Sequence, residues 1–193
     1  MLGPDEFRRA LGHFATGVTI VTTWDDEERP TGLTASAMSS VSLDPPLVLV
    51  CVSHKSQSYP SFRSGRRFAV NVLASDQEPL ARRFASSSLS GVEKFEGVAY
   101  HRSELGLPVI DEALAEFECT IVHAYPGGDH TIFVGQVEAL DARGDHGREP
   151  LLYYRGRGRH ARRGPRPGRR RSCDRRQGRR GRWCIRTRPA PRR

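Results

Sequence analysis

Residues 32–52 read GLTASAMSSVSLDPPLVLVCV. Small and hydroxyl residues run from Thr34 to Ser40. Val41-Ser42-Leu43 and a double proline follow, and then the apolar stretch Leu47 to Val52. Small side chains let a ligand approach the backbone, and hydroxyls with free amides satisfy a polar ligand rich in acceptors. The segment is therefore expected to be a ligand-binding loop held between two buried strands. On residue types alone, a polar crossover with no ligand remains open.

Outward from this stretch the chain reads as short strands with few helices. Pro4-Asp5-Glu6 is a helix start, and Phe7, Leu11 and Phe14 follow at helical spacing. Val18 to Trp24 is β-branched and aromatic, hence a strand, and Thr31 to Met38 is a second. Leu47–Val52, Phe68–Leu73, Glu116–Ala124, His130–Leu140 and Leu151–Tyr154 complete the set. A short helix is expected near Pro60 to Ser64, and another over Gln77 to Ala85 with Leu80, Ala81 and Phe84 on one face. Ser86 to Gly91 reads as a flexible connection. No strand–helix alternation and no GxGxxG is present, which disfavours a Rossmann fold. The expected fold class is mainly β with peripheral helices, an antiparallel β-barrel.

Charge divides the chain in two. Through Arg155 there are 14 Lys and Arg against 21 Asp and Glu, a net of −7. From Gly156 onward there are 17 Arg, no Lys and one acid, Asp174, a net of +16. The overall +9 thus belongs to a tail and not to the body. The expected organisation is a folded domain over residues 1–157 and an Arg/Gly/Pro-rich disordered tail over 158–193. Arg, Gly, Pro and Ala share GC-rich codons, so the tail has the composition of a frameshifted reading. A genuine disordered extension and a polyanion- or RNA-binding arm are the alternatives.

The four cysteines form no CxxC pair, and no HExxH or carboxylate cluster suggests a metal, so none is expected. Cys51 and Cys119 sit in strand patterns and are expected to be buried thiols. There is no signal-peptide pattern and no apolar run of membrane-spanning length, so a cytoplasmic location is expected. No serine lies in a nucleophile-elbow context. A cofactor is then expected to carry the chemistry, with the protein supplying position and electrostatics.

Several ordered motifs carry a resemblance: FRRALGHFATGVT from Phe7, GLTASA from Gly32, SVSLDPPL from Ser40, FAVNVL from Phe68 and GDHTIFVG from Gly128. Together the chain resembles the flavin reductase family, the split-barrel, FMN-binding reductase components of two-component flavin monooxygenases. The resemblance spans about residues 5–157 and implies an antiparallel split barrel. It also implies NADH or NADPH as co-substrate, FMN or FAD as the flavin, a homodimer, and a partner monooxygenase served by reduced flavin. It places Thr34, Ala35, Ser36, Ala37, Met38 and Ser40 around the isoalloxazine and ribityl chain, with Cys51, Val52 and Ser53 at its border. Ser56 and Ser58, with Lys55, would hold the phosphate. Arg83, Phe84, Lys94 and Phe95 would close the site. His130, with Gly128 and Asp129, would face the nicotinamide, and Tyr154, Arg155 and Arg157 are candidates on that side.

Residue chemistry alone leaves other roles open: a helix cap for Ser56 and Ser58, solvated charges for Arg83 and Lys94, core packing for Phe84, and a structural His130. The alternative functions are a non-catalytic FMN-binding protein, or nucleic-acid binding through the tail.

Overall fold

The computed structural model describes residues 2–142 and 147–155, together with the backbone of 157–160. Helix α1 spans Pro4–Leu11, and β1 (Thr16–Gly17) leads into β2 (Thr19–Trp24). The strands β3 (Pro30–Ala35), β4 (Met38–Leu43) and β5 (Pro46–Ser53) follow, then α2 (Tyr59–Ser64) and β6 (Arg67–Val72). A single 3-10 turn precedes α3 (Glu78–Ala85), which is followed by α4 (Gly91–Phe95). The remaining strands are β7 (Tyr100–Arg102), β8 (Pro108–Ile110), β9 (Ala115–Gly127), β10 (His130–Asp141), β11 (Leu151–Tyr154) and β12 (Arg157–His160).

Seven strands form one antiparallel sheet in the order β3-β2-β6-β9-β10-β5-β4. The sheet is rolled, because residues far apart in that order share one core. Val21 (β2) and Leu33 and Ala35 (β3) meet Val48, Val50 and Val52 of β5, with Phe68, Cys119 and Phe133 between them and Phe62 of α2 packed against them. Strands β3 and β4 are the two edges and do not pair with each other, so the barrel is split along that seam. Gly135 makes room inside: a Cβ there would lie 2.6 Å from Phe68 Cζ and 2.7 Å from Cys119 Cβ.

A second core lies on the outer face of β2 and β6. Val18, Ile20 and Leu73 pack there against Ala81 and Phe84 of α3, Phe95 of α4, Ile110 and Leu151. Strand β2 is buried on both faces, which explains its unbroken β-branched run. Buried Asn71 ties the layers together: its amide donates to Ile20 O and Thr22 Oγ1, and its Oδ1 accepts from Ile110 N. A small sheet, β1-β11-β12, brings the end of the domain beside α1, where Arg155 N donates to Gly12 O at 2.8 Å.

The mainly β barrel with peripheral helices matches the expectation from the sequence, with three differences. Residues 38–43, expected within a loop, form β4, an edge strand with Ser39 and Ser40 exposed. Only Ser36 and Ala37 break the chain between β3 and β4, so this pair crosses the seam of the barrel. The expected flexible connection ends in α4, whose N-cap Ser90 exchanges hydrogen bonds with Glu93. Strand β12 carries the small sheet past residue 157, the boundary drawn from composition. The rest of the tail, with its disorder, frameshift and polyanion readings, lies outside the described residues. No helix among the described residues is long and apolar enough to cross a membrane.

Candidate active site

Strand β5 separates two environments residue by residue. Val48, Val50 and Val52 enter the barrel, so alternation turns Leu49, Cys51 and Ser53 outward. Register places His130 of β10 opposite Ser53 and Ile132 opposite Cys51, and β4 sets Ser39 opposite Leu49. Pairs directly opposite share a face. The outer surface thus carries Ser39, Leu49, Cys51, Ser53 and His130 in sequence along one flank of the seam.

A cavity of about 960 Å³ opens on this flank. Its floor is the seam crossing, Ser36 to Ser39, with Leu49. Its opposite wall is the end of α1 and the residues after it, including Arg9, His13 and Phe14, and Thr16, Tyr153 and Arg155 complete it. Ser36, Ala37 and Ser39 are exposed, and Ala37 O accepts from Cys51 N at 3.1 Å. Met38 both lines the cavity and packs on the barrel core. Thr16 Oγ1 is buried without a hydrogen-bond partner among the described residues.

At the other end of the flank, β9 and β10 are joined by the two-residue turn Gly128–Asp129. Gly128 has φ +71°, a value that favours glycine, so the turn itself explains this residue. His130 is half-exposed, and its Nδ1 lies 2.7 Å from Asp129 Oδ1. That hydrogen bond is the main cause that holds the Asp129 carboxyl below its ordinary pKa. Asp129 O also accepts from His54 N, which fixes the Lys55 loop to the hairpin. The same loop is braced by Thr131 Oγ1, 3.0 Å from both His54 Nε2 and Tyr59 OH.

The structure brings together Ser36, Ala37 and Met38 in the cavity, and Cys51, Ser53, Lys55, Ser56, Asp129 and His130 along the flank and hairpin. Cys51 is only half-buried, contrary to the expectation of a buried thiol, because its side of β5 faces outward. Burial raises its pKa all the same. Ser40 is exposed on β4 outside the cavity.

Other expected site residues have their side chains committed elsewhere. Ala35 and Val52 belong to the barrel core. The Thr34 hydroxyl donates to Ala81 O at 2.6 Å. Ser58 is fully buried: its Oγ donates to Gly32 O and accepts from Thr31 Oγ1, so the hydroxyl fastens the loop to β3 and does not reach a phosphate. Nor does the Ser58 side chain cap α2. Ser56 Oγ accepts from Ser58 N.

Phe84 and Phe95 pack edge to face, 4.9 Å apart, within the second core, so neither ring walls a ligand. Arg83 donates to the carbonyls of Glu93 and Lys94, clamping α4. Lys94 is buried, not a solvated charge, and burial pushes its pKa down. Tyr154 packs against His13 and under the Arg155 guanidinium, outside the cavity lining.

Sequence reasoning missed Arg9, His13, Thr16, Leu49 and Tyr153 as cavity residues. It also missed the His54–Thr131–Tyr59 brace. The Arg8-Arg9 doublet on an amphipathic helix was the one local signal for the cavity wall.

A family model described as the flavin reductase-like domain matches residues 11–162. The reductase component of a 4-nitrophenol 4-monooxygenase/4-nitrocatechol 2-monooxygenase from Rhodococcus opacus is 45% identical over 152 residues, covering 79% of this chain and 78% of that protein. The reductase subunit HsaB of a flavin-dependent monooxygenase from Mycobacterium tuberculosis is 39% identical over 155 residues, covering 80% and 81%. Among solved structures, the NADH:FAD oxidoreductase of Streptomyces globisporus C-1027, in complex with NAD and FAD fragments, superposes with a TM-score of 0.75. It is 39% identical, and the match covers 86% of this chain and 98% of that one. With the split barrel and its seam-side cavity, these matches show that the chain belongs to the flavin reductase-like domain family.

Proposed function

We propose that the protein is an NAD(P)H-dependent flavin reductase that supplies reduced FMN or FAD to a partner flavin monooxygenase. The observation that carries this reading is the exposed crossing Ser36–Ser39. It runs along a cavity large enough for a cofactor and shares an outer face with His130. The relatives named as monooxygenase reductase components support it. A flavin held there would supply the acceptor for hydride from the nicotinamide.

The residues present fit such a group. Small side chains at Ser36, Ala37 and Ser39 leave the backbone accessible, and the Ser36 and Ser39 hydroxyls offer donors and acceptors. Lys55, with the hydroxyls of Ser53 and Ser56, is the phosphate end of the reading. His130 Nδ1 lies 2.7 Å from Asp129 Oδ1, and in the neutral tautomer with its proton on Nδ1, Nε2 would accept from a carboxamide N–H of the coenzyme. The Tyr59–Thr131–His54 brace holds the loop that carries these groups.

A homodimer is part of the reading. No residue of α1 is buried, and Phe7, Leu11 and Phe14 are 52%, 54% and 73% exposed beside the cavity. A second copy covering this face would also help close the cavity. A cytoplasmic location, where reduced pyridine nucleotide is made, completes it.

The test is steady-state oxidation of NADH and NADPH by the purified chain with FMN, FAD or riboflavin added, together with sedimentation to read the assembly state. Flavin-dependent oxidation by a dimer is expected. Flavin binding with no oxidation of either coenzyme contradicts the enzyme reading.

A further inference from the structure

We infer that Thr131 is a positioning residue that sets the preference for a phosphorylated flavin: its hydroxyl locks the Lys55 loop to the His130 hairpin and so holds Lys55 and Ser56 ready for the phosphate. The inference deepens the reductase reading and rests on its assignment of the phosphate to that loop. Successive residues of β10 face opposite ways. His130 stands opposite Ser53 on the outer flank, and Thr131 stands opposite Val52, whose side chain enters the barrel. One residue of the hairpin therefore faces the site, while the next meets both ends of the loop.

Residues 54–58 join β5 to α2. Thr131 Oγ1 lies 3.0 Å from His54 Nε2, at the start of this loop, and 3.0 Å from the hydroxyl of Tyr59, the first residue of α2. A hydroxyl has one proton and two acceptor sites, so it serves both partners at once. The His54 and Tyr59 rings pack with centroids 4.8 Å apart, and Tyr59 rests on the barrel core. At the far end of the loop, Ser58 Oγ donates to Gly32 O. Between these anchors Lys55 is exposed and Ser56 half-buried. The Asp129 carboxyl, held down first by its His130 hydrogen bond, also feels the Lys55 charge, which puts that ammonium near the hairpin. A cation and hydroxyls bind a phosphate well when their geometry is fixed beforehand, because binding then need not order the loop.

Riboflavin has the ring and ribityl chain of FMN without the phosphate, so it reports every flavin contact except this one. The test is titration of the full chain with FMN and with riboflavin, read by flavin fluorescence. Thr131→Val removes the hydroxyl at nearly constant shape, and Thr131→Ser keeps it. Tyr59→Phe removes one of its two partners and leaves the ring. Thr131→Val is expected to raise Kd for FMN about fivefold, within the range of one neutral hydrogen bond, with Kd for riboflavin unchanged. Thr131→Ser should restore the FMN value, and Tyr59→Phe should give a smaller loss of the same kind. In a Lys55→Ala background, Thr131→Val should cost FMN nothing further.

Equal rises in both Kd values would make Thr131 a structural residue alone and overturn the inference. So would a wild type that binds the two flavins equally, or a Thr131→Val effect that adds in full to Lys55→Ala. Tyr59→Phe, which leaves β10 untouched, repeats the test independently of how well Thr131→Val folds. A wild type whose preference for FMN is lost in Thr131→Val, yet which oxidises neither NADH nor NADPH, defeats the reductase reading and leaves the inference standing.

Discussion

The two faces of β5 differ in every respect that matters to the account. Inside, Val48, Val50 and Val52 are sealed against Phe68 and Phe133 in the barrel core. Outside, Leu49, Cys51 and Ser53 remain open beside the seam crossing and the His130 hairpin. One strand with a period of two thus divides the barrel core from the seam-side surface at single-residue spacing. A substitution on one face should unfold the protein, and a neighbour on the other should alter only its activity.

Interior and exterior substitutions should therefore behave differently. Phe68→Ala empties a fully buried ring site and should cost about 3–5 kcal/mol in denaturant unfolding. Flavin binding should fall with the loss of fold. His130→Ala, on the outer rim, should change unfolding by no more than about 0.5 kcal/mol. It should lower kcat/KM for the coenzyme by about 2- to 12-fold, the value of one neutral hydrogen bond of about 0.5–1.5 kcal/mol. Equal losses in FMN affinity and coenzyme use would remove His130 from the nicotinamide side.

Two thiols sharpen the same contrast. Cys119 is inside, and burial, with Glu118 and Glu138 nearby, pushes its pKa up to about 12. Cys51 is outside and half-buried. Alkylation mapped by mass spectrometry should label Cys51 and spare Cys119 in the native protein, and bound FMN should protect Cys51. Labelling of Cys51 that flavin leaves unaffected would move the flavin off this flank.

The smallest effect concerns pH. The Cys119 thiol ionises at higher pH when folded than when unfolded, so between about pH 9 and 12 the unfolded state binds fewer protons. Stability should therefore fall as pH rises through that window. Cys119→Ala should make the fall shallower by one ionising group, as unfolding curves taken across the window would read.

What the sequence made legible follows the same division. The barrel strands were readable because interior burial demands Val, Ile and Phe in runs that no loop needs. Strand β4 was not, because an edge strand exposed to solvent can be written in serine and looks like a loop. Helix α4 announced itself only through Ser90 and Glu93, inside a serine-rich context. The hairpin at Gly128 was visible as a turn because its chemistry is local.

The cavity was invisible because it depends on non-local pairing. Thr16 meets Tyr153, and Gly12 meets Arg155, from opposite ends of the domain. Ser58 and Phe84 show the converse: residue types that suit a ligand are here packed into the core, which local sequence does not report.

The most direct test of the account is a single turnover without oxygen. The chain carrying FMN is mixed with NADH, and the visible flavin band is followed. Bleaching is expected at a rate that rises with NADH concentration and is slowed by His130→Ala, with FMN still bound in the variant. A bound flavin that neither NADH nor NADPH bleaches would contradict it.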